Sequence, residues 1–441
     1  MPGVAHVGSL GFSLAAAAFA LLPPGAARAQ APISLDEAIR EARASNAKLP
    51  MPAYDVEIAR ARVNEARAER WLKVAVEGDF IYAPPSGYDP VLTNLGEFRL
   101  QVVGRQPIYD GGARRAAVAK AEAETRAAES RYRVAEKDLV LDVVSRYNEL
   151  LSARAEMAAR RSGLSQLERY RSGLQGRQSS GQPVAADLLK TEVRLASEQA
   201  SLLEAEKRAD DSRMELNDLM GQDPQTPLEI ASLPLLESTV PEPRPWEETP
   251  EISAARADEV AADAALSNAR AEGKPHLSLS ADFGFWGSDT SRWVPLDLKM
   301  RDPDATFVDR IRRDAGYSFT LSFTWPIFDF GAIRARVAQA DLALEQARRK
   351  IDVAKRDSRL KWSQARSAME SLGKEVELLS HASPSARDAL LDAESRYRGG
   401  AATSLEVLDA YSSAVDLSVR LSDAAARYRI ARALADRWGS P

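Results

Sequence analysis

Acidic residues at two equivalent positions are the side chains of this sequence whose spacing best suits chemistry. Asp187 follows Gly181 by six residues, and Glu406 follows Gly400 by the same interval. Asp409 comes one helical turn after Glu406, which places both carboxylates on one face of a helix. Carboxylates grouped in this way attract cations, although acids near a helix start also stabilise the helix without any further function. Both interpretations stay open at the level of the sequence.

Catalytic chemistry has no comparable signature in the chain. None of the three histidines stands beside a carboxylate cluster with metal-ligand spacing, and the sequence contains no nucleophile motif, phosphate loop or HExxH segment. A formal net charge of −5 without a basic patch argues against nucleic-acid binding. We therefore expect a protein that is not an enzyme and that uses no metal, no cofactor and no nucleic-acid partner.

A duplication indicates which elements position these acids. The segment PIYDGGARRA at 107–116 returns as PIFDFGAIRA at 326–335, and the tract after each copy keeps the same offset without an insertion. Gly181 and Gly400 are related by this offset, as are Asp187 and Glu406. Register held over so long a tract favours a rigid element, so we predict one duplicated unit built around a very long helix.

Long helices are predicted after each copy of the motif. Residues 113–180 contain no proline and residues 332–398 contain only Pro384, so each tract can form a helix on the order of 100 Å long. Asp110 and Asp329 are suitable N-cap residues. Apolar residues at heptad spacing continue after the glycines, which predicts an antiparallel return helix in each half. The hairpin tips are expected near residues 181 and 400.

Four segments alternate between apolar and polar residues with the period of a β-strand. Each is about ten residues long with aromatic residues towards its ends, which is typical of tilted strands that span a membrane. An ordinary amphipathic sheet on a soluble core shows the same alternation, so the membrane interpretation depends on the combination with the long helices and the leader segment. The predicted strands are 73–83, 97–106, 276–286 and 317–326.

The predicted organisation is two repeats joined by a linker. Residues 1–29 have the apolar run and small-residue cleavage site of a signal peptide, and the chain contains no cysteine. Each repeat is predicted to contain a helix, two strands and a helical hairpin. Two polar loops, 84–95 and 287–316, are expected outside the cell. The predicted domains are the first repeat at 30–221, the proline-rich linker at 222–250 and the second repeat at 251–441.

In this order the motifs resemble the outer-membrane efflux protein (TolC) family. The resemblance rests on the opening LDEAI helix at 35–39, the PI(Y/F)DxG strand ends, the two long hairpins and the segment YRGG at 397–400. It implies a mainly α fold with a membrane β-barrel, in which a homotrimer forms a twelve-stranded outer-membrane barrel continuous with a twelve-helix periplasmic tunnel. It also implies an exit channel for drugs, metals or proteins that works with a periplasmic adaptor and an inner-membrane pump.

The resemblance assigns roles to the hairpin tips. It implies a periplasmic gate formed by Tyr397, Glu406, Asp409 and Asp187. Ala402 stands where the best-known member carries an arginine that ties the tips together, and Arg398 is close enough in sequence to replace it. The tips lie farthest from the strands, and glycine permits close backbone approach. We therefore expect the adaptor to dock at Gly181, Leu188, Leu189, Gly400, Val407 and Leu408.

The strand count gives an independent indication of assembly. Four strands cannot close a barrel, and open sheet edges are not tolerated in lipid. Two copies would give an interior that side chains fill, whereas three copies would give twelve strands and room for a water-filled lumen. A soluble periplasmic coiled-coil scaffold or adaptor is the competing interpretation. It explains the hairpins and the leader but not the four strands.

Overall fold

The computed structural model describes residues 32–81, 96–235, 246–288 and 293–439. The predicted signal peptide at 1–29, the predicted loop at 84–95 and the central part of the linker lie outside these ranges, as do the last two residues of the first predicted strand. Within the described ranges, no helix combines the length and the apolar character that a membrane span requires.

One antiparallel sheet joins strands from both repeats in the order β1-β2-β3-β4. Strands β2 and β3 extend past their predicted ends because they pair with each other over their whole length, with an irregularity after Pro107. Strand β4 ends before Pro326, which has no N–H group for the ladder. The strands are β1 (Lys73–Ile81), β2 (Glu97–Tyr109), β3 (His276–Ser288) and β4 (Ala315–Thr324).

The two faces of this sheet differ in chemistry, as the alternation predicts. On the polar face, Arg99 donates a hydrogen bond to Asp79 at 2.9 Å, and the Ser318 hydroxyl donates to Asp282 at 2.7 Å. The opposite face is apolar and open. Its exposed side chains are Val74, Val76, Phe80, Leu100, Val102, Leu279, Phe283, Tyr317, Phe319, Leu321 and Phe323.

Two very long helices, α3 and α8, dominate the rest of the molecule. Each has 67 residues, which gives a length on the order of 100 Å. A shorter antiparallel helix follows each of them, α4 after α3 and α9 after α8. The helices are α1 (Leu35–Ser45), α2 (Pro50–Ala68), α3 (Ala113–Ser179), α4 (Ala185–Leu219), α5 (Pro250–Ala271), α6 (Leu296–Arg301), α7 (Phe307–Asp314), α8 (Ala332–Arg398) and α9 (Ser404–Gly439).

The N-cap residues of the long helices are Gly112 and Gly331, not the predicted Asp110 and Asp329, yet each aspartate binds the first turn of its helix from two residues upstream. The Asp110 carboxylate accepts a hydrogen bond from the backbone N–H of Arg114 at 2.8 Å, and Asp329 accepts one from the backbone N–H of Ile333 at 2.6 Å. Each acid therefore satisfies a free amide at the start of a long helix. The same turn sets the direction in which α3 and α8 leave the sheet.

The described part of the connection between β3 and β4, residues 293–314, is not simply the polar loop expected at 287–316. It contains the short helices α6 and α7, and α7 begins with a capping box between Thr306 and Asp309. Helices of six and eight residues span too few turns for an apolar period to stand out in the sequence.

Helix α3 lies at the centre of the helical layer, where it packs against α1, α2, α4, α5 and α9. Helix α8 packs against α5 and α9. The largest apolar core surrounds the middle of α3 at Tyr147, whose side chain is fully buried. The Tyr147 hydroxyl lies 2.9 Å from the carbonyl oxygen of Ile33 and 2.8 Å from that of Ala231. This contact joins the start of the first repeat to the segment that follows it.

Candidate functional site

Both hairpins turn on a glycine in the left-handed region of backbone space. The φ angle is 82° at Gly181 and 76° at Gly400. A Cβ atom built on either glycine would meet no other atom within 4 Å. Glycine is therefore needed at both positions because of the backbone conformation. The outer surfaces of the two turns are open.

A capping box holds the second tip at the start of α9. The Thr403 hydroxyl donates to the Glu406 carboxylate at 3.0 Å, and the backbone N–H of Glu406 donates to the Thr403 hydroxyl at 3.3 Å. Hydrogen bonds from the backbone and the hydroxyl of Thr403 lower the pKa of Glu406. Arg396 lies 3.9 Å from the same carboxylate. Glu406 thus fills the helix-start role that the sequence left open.

The remaining acids of the tips differ in their surroundings. Asp409 is exposed one turn beyond Glu406. Asp187 is half-buried, and its carboxylate accepts a hydrogen bond from the Tyr397 hydroxyl at 3.3 Å. Of the four predicted gate residues, the structure brings Asp187 and Tyr397 together across the two hairpins.

A second tyrosine completes this junction. The rings of Tyr170 and Tyr397 lie 5.3 Å apart at an angle of 59°. The Tyr170 hydroxyl donates to the Ser404 hydroxyl at 2.9 Å, and burial raises the pKa of Tyr170. Helix α3 therefore contacts both the end of α8 and the start of α9.

Arg177 is a tip residue that the sequence analysis missed. Its guanidinium lies 4.8 Å from the centre of the Tyr397 ring and donates to the backbone carbonyl of Arg398 at 3.3 Å. Arg398, the predicted substitute for the missing arginine, donates instead to the Glu394 carbonyl of its own helix. Arg177 and Arg398 are 221 residues apart in the chain, so no local pattern could have paired them.

The expected docking residues divide into an exposed and a packed group. Gly181, Leu189 and Gly400 are exposed, Leu189 by 64%. Val407 is buried, while Leu188 and Leu408 are partly buried against the apolar core of the tips. The exposed group is available to a partner. The packed group holds the two hairpins together.

Below the tips, a buried network of charges joins α3 to α4. Arg160 lies 2.8 Å from Glu156 and 3.0 Å from Glu198, and Arg194 also lies 3.0 Å from Glu198. Both glutamates are buried, each with 4% of its surface exposed. Buried carboxylates are tolerated only when they are paired, so this network fixes how the two helices align. No sequence pattern predicts this network, because most acids on amphipathic helices are solvated.

Metal binding finds no support in the part of the chain that the structure describes. There, no group of three or more histidine, cysteine, aspartate or glutamate residues is arranged to hold an ion. The contacts of the tips are hydrogen bonds, ring contacts and apolar packing. These contacts are non-covalent, so they can hold the two hairpins together and can also break to let them separate.

Solved structures share this arrangement of sheet and hairpins. The outer membrane protein VceC of Vibrio cholerae superimposes with a TM-score of 0.77 at 21% identity, over 92% of this chain and 96% of that protein. The outer-membrane channel OprN superimposes with a TM-score of 0.79 at 21% identity, over 92% of this chain and 91% of that one. The fold is therefore that of outer-membrane channel proteins, which confirms the predicted class at this level.

The sequence identifies the family. The family described as Outer membrane efflux protein matches residues 38–222 and 246–439, so the chain belongs to it. This confirms the predicted resemblance, the predicted outer-membrane location and the expectation that the chain is not an enzyme. Protein CyaE of Bordetella pertussis is 29% identical over 279 residues, which are 58% of this chain and 56% of CyaE.

A second relative is the pyoverdine export outer membrane protein OpmQ of Pseudomonas putida. It is 28% identical over 311 residues, which are 67% of this chain and 61% of OpmQ. The chain thus spans less than two thirds of the length of each of these relatives.

Proposed function

We propose that this chain forms the outer-membrane exit channel of a tripartite efflux or secretion system. In this proposal three copies enclose one conduit, which passively conducts substrate from an inner-membrane pump and a periplasmic adaptor to the exterior. The family and the fold support the proposal. The single observation that carries it is a protomer whose sheet and helical layer are both left open at their two edges.

The sheet supports placement in a bilayer. Its apolar face exposes large side chains along the whole length of the strands, among them Val76 at 71% and Phe319 at 72%. Leaving such a surface in water is unfavourable by about 25 cal/mol per Å². In a bilayer the same apolar surface would contact the acyl chains of the lipids. The polar face with Asp79 and Arg99 would line a water-filled lumen.

Aromatic residues mark one border of this apolar surface. Trp71, Trp325, Phe328 and Phe330 lie near the junction of sheet and helices and are at least half exposed, Phe330 by 93%. Aromatic rings are favoured at the boundary between hydrocarbon and headgroups. This ring of aromatics supports a membrane border at the junction, with the hairpins in the periplasm.

Helix α8 supports contact with a neighbouring copy. Leu342, Val353, Leu360 and Leu378 are between 55% and 72% exposed. Their spacings of 11, 7 and 18 residues are close to whole numbers of turns, so the four side chains form one stripe. The buried residues Ile351 and Val376 lie on the opposite side of the helix.

The other edge of the protomer carries matching stripes. On α2, Met51, Tyr54 and Ile58 are at least half exposed, on the side away from its buried residues. On α4, Val193 and Leu203 are exposed in the same way. In a ring of copies, the α8 stripe of one protomer would pack against the α2 and α4 stripes of the next. Strands β4 and β1 would pair at the same junction.

Two measurements test the proposed channel. Fractionation should recover the protein with the outer membrane, and its native mass in detergent should be that of three copies. Recovery in the soluble periplasm would instead favour a coiled-coil scaffold or adaptor. A monodisperse monomer or dimer would refute closure of a twelve-stranded barrel.

The hairpin tips are proposed as the periplasmic gate. Three copies would bring six carboxylates from Glu406 and Asp409 around one opening, a geometry that attracts cations. Asp187 and Tyr397 would hold the first hairpin against the second. Arg177 would supply the cation that Ala402 cannot, because it contacts the Tyr397 ring.

Planar bilayer recordings test the gate. The reconstituted channel should be cation-selective and should be blocked by trivalent cations added from the periplasmic side. Glu406→Ala combined with Asp409→Ala should weaken both effects, whereas Glu77→Ala on the polar face of the sheet should leave them unchanged. Unchanged selectivity in the double variant would show that these acids serve only the start of α9.

Docking of the adaptor is proposed at the exposed part of both tips, Gly181, Leu189 and Gly400, with Leu188, Val407 and Leu408 supporting them from the core. Gly400→Trp should abolish export, while trimer formation and membrane insertion stay normal. A Gly181→Trp variant provides the same test in the first repeat. Export at the normal level in both variants would exclude the tips as the docking site.

A further inference from the structure

Helix α7 exposes its apolar side chains and buries one ion pair, while Arg312 and Arg313 are also exposed. Arg310 and Asp314 form an ion pair of 3.2 Å and are 5% and 6% exposed. Phe307, Val308 and Ile311 are 45%, 60% and 39% exposed. Phe307 and Ile311 are one turn apart, with Val308 beside them, so the three form a single apolar surface. An exposed apolar surface beside exposed arginines is the distribution of an amphipathic helix at a membrane interface.

The inner side of α7 rests on the apolar face of the sheet. The Arg310 guanidinium lies 5.1 Å from the centre of the Phe98 ring. A Cβ atom on Gly287 would overlap the Asp314 carboxylate. Phe98 and Gly287 are cross-strand partners in β2 and β3, so they share a face of the sheet. That face is the apolar one, to which Leu100 and Phe283 also belong.

The neighbouring residues extend this surface. Trp293 is 79% exposed, and its ring lies 5.5 Å from that of Phe307 in an edge-to-face arrangement. Met300 on α6 is also 79% exposed. The segment lies at the end of the sheet away from α3 and α8. There the exposed apolar side chains of α7 lie beside the apolar face of the sheet.

We infer that α7, together with Trp293 and Met300, is an interfacial anchor seated in the outer leaflet of the membrane. Its apolar surface enters the boundary between acyl chains and headgroups, as amphipathic helices do when they lie in the plane of a membrane. The inference rests on the proposed function, since it takes the apolar face of the sheet to face lipid. It adds a second membrane contact, formed by a helix that lies against the outside of the barrel.

The position of α7 favours lipid over a second copy of the chain as the occupant. Arg310 and Asp314 lie against β2 and β3, the two middle strands of the sheet. In the proposed ring, neighbouring copies meet at β1 and β4. An apolar surface above the middle strands is therefore left to the lipid that surrounds the barrel.

The natural absence of cysteine makes a direct test possible. Val308→Cys and Ile311→Cys would each carry a single nitroxide spin label on an exposed side chain. Leu321→Cys on the apolar face of the sheet is the lipid reference, and Ser179→Cys near the first tip is the water reference. The assembled protein is placed in vesicles of phosphatidylethanolamine with a minority of phosphatidylglycerol. Accessibility of each label to oxygen and to a water-soluble nickel chelate is then measured.

The expected oxygen-to-nickel ratio at positions 308 and 311 is several-fold higher than at position 179 and lower than at position 321. Values at 308 and 311 that equal the water reference, with position 321 in lipid, would overturn the anchor and leave the channel intact. Labels at 308 and 311 that neither reagent reaches would overturn it in favour of a protein contact. A water-like value at position 321 would refute the proposed membrane channel as well.

Discussion

Helices α3 and α8 have the same length and follow the same motif, yet their surroundings differ. Nineteen residues of α3 are buried, compared with ten of α8. No large apolar side chain of α3 is exposed along its whole described length, whereas α8 exposes five, including Leu342, Leu360 and Leu378. Duplication thus supplied two similar elements, and their places within one protomer made one central and the other peripheral.

The difference shows that the peripheral helix α8 has an apolar side without a packing partner in the protomer. Helix α8 has apolar residues on opposite sides, one side against α5 and α9 and the other open. Helix α3 has neighbours on every side that carries large apolar groups. The open side of α8 is therefore the side of this helix that a neighbouring copy would cover in the proposed ring.

The largest effect is expected when charge is placed on the open side of α8. Leu360→Asp combined with Leu378→Asp should abolish the trimer, because each buried and unpaired carboxylate costs roughly 3–5 kcal/mol. Native mass in detergent measures the outcome.

Arg359→Asp is the matched control, since it adds a carboxylate next to Leu360 but away from the stripe. The control should assemble normally. Tyr54→Asp combined with Ile58→Asp on α2 should reproduce the loss from the other edge. A stable trimer in either double variant would contradict the proposed junction.

A smaller effect is expected from adding one methyl group to each long helix. A Cβ atom on Gly163 of α3 would lie 2.6 Å from the Tyr411 hydroxyl and 2.9 Å from Val415. Gly163→Ala should therefore lower the stability of the protomer by about 1–3 kcal/mol. Gly373→Ala on α8 places its Cβ 3.4 Å from Tyr428, an ordinary contact, and should be neutral or stabilising by up to about 1 kcal/mol.

Chemical denaturation of the two glycine variants, followed by circular dichroism, compares the central with the peripheral helix. Gly173→Ala, whose Cβ would meet no atom within 4 Å, is the control on α3 itself. Equal destabilisation at positions 163 and 373 would mean that α3 is no more tightly packed than α8.

The contact between the tips should contribute less. Arg177→Gln removes the guanidinium from the Tyr397 ring and should cost about 0.5–1 kcal/mol. We expect the resting channel to spend more time open in planar bilayers. Arg169→Gln is the control, because Arg169 donates to Ser165 of its own helix. If both variants open equally often, Arg177 does not hold the tips together.

The smallest effect concerns pH at the two helix starts. The pKa of Glu406 is lowered in the folded protein, so its capping contribution is present above the usual value of about 4.3 and is lost as the pH falls through the lowered folded value. Hydrogen exchange at the start of α9 should therefore show weaker protection only at acidic pH. In α4, Val184 occupies the N-cap position without a side-chain cap, so no capping contact of this kind exists at that helix start.

Glu406→Gln is the control for this measurement. It should give the weakly protected start of α9 at every pH, because an amide accepts weaker hydrogen bonds than a carboxylate. Protection that still varies with pH in this variant would assign the effect to another group.

Much of the fold could be predicted from the sequence because local residue patterns determine its strands and helices. A period of two residues gave the strands, and the near absence of proline gave the two 67-residue helices. The repeated motif placed both tips at glycine turns, which the positive φ angles of Gly181 and Gly400 explain. The acids of the tips were also found this way, since they occupy equivalent positions in the two repeats.

What the sequence by itself determined is the set of elements, their order and the chemistry of each face. Only the tertiary structure decided that α3 is central and α8 peripheral, that Arg177 meets Tyr397, and that α7 turns its ion pair towards Phe98. The reason is that periodicity records how residues a few positions apart share a surface. Contacts between segments separated by about two hundred residues depend on how whole helices and strands pack, and such packing leaves no local signal.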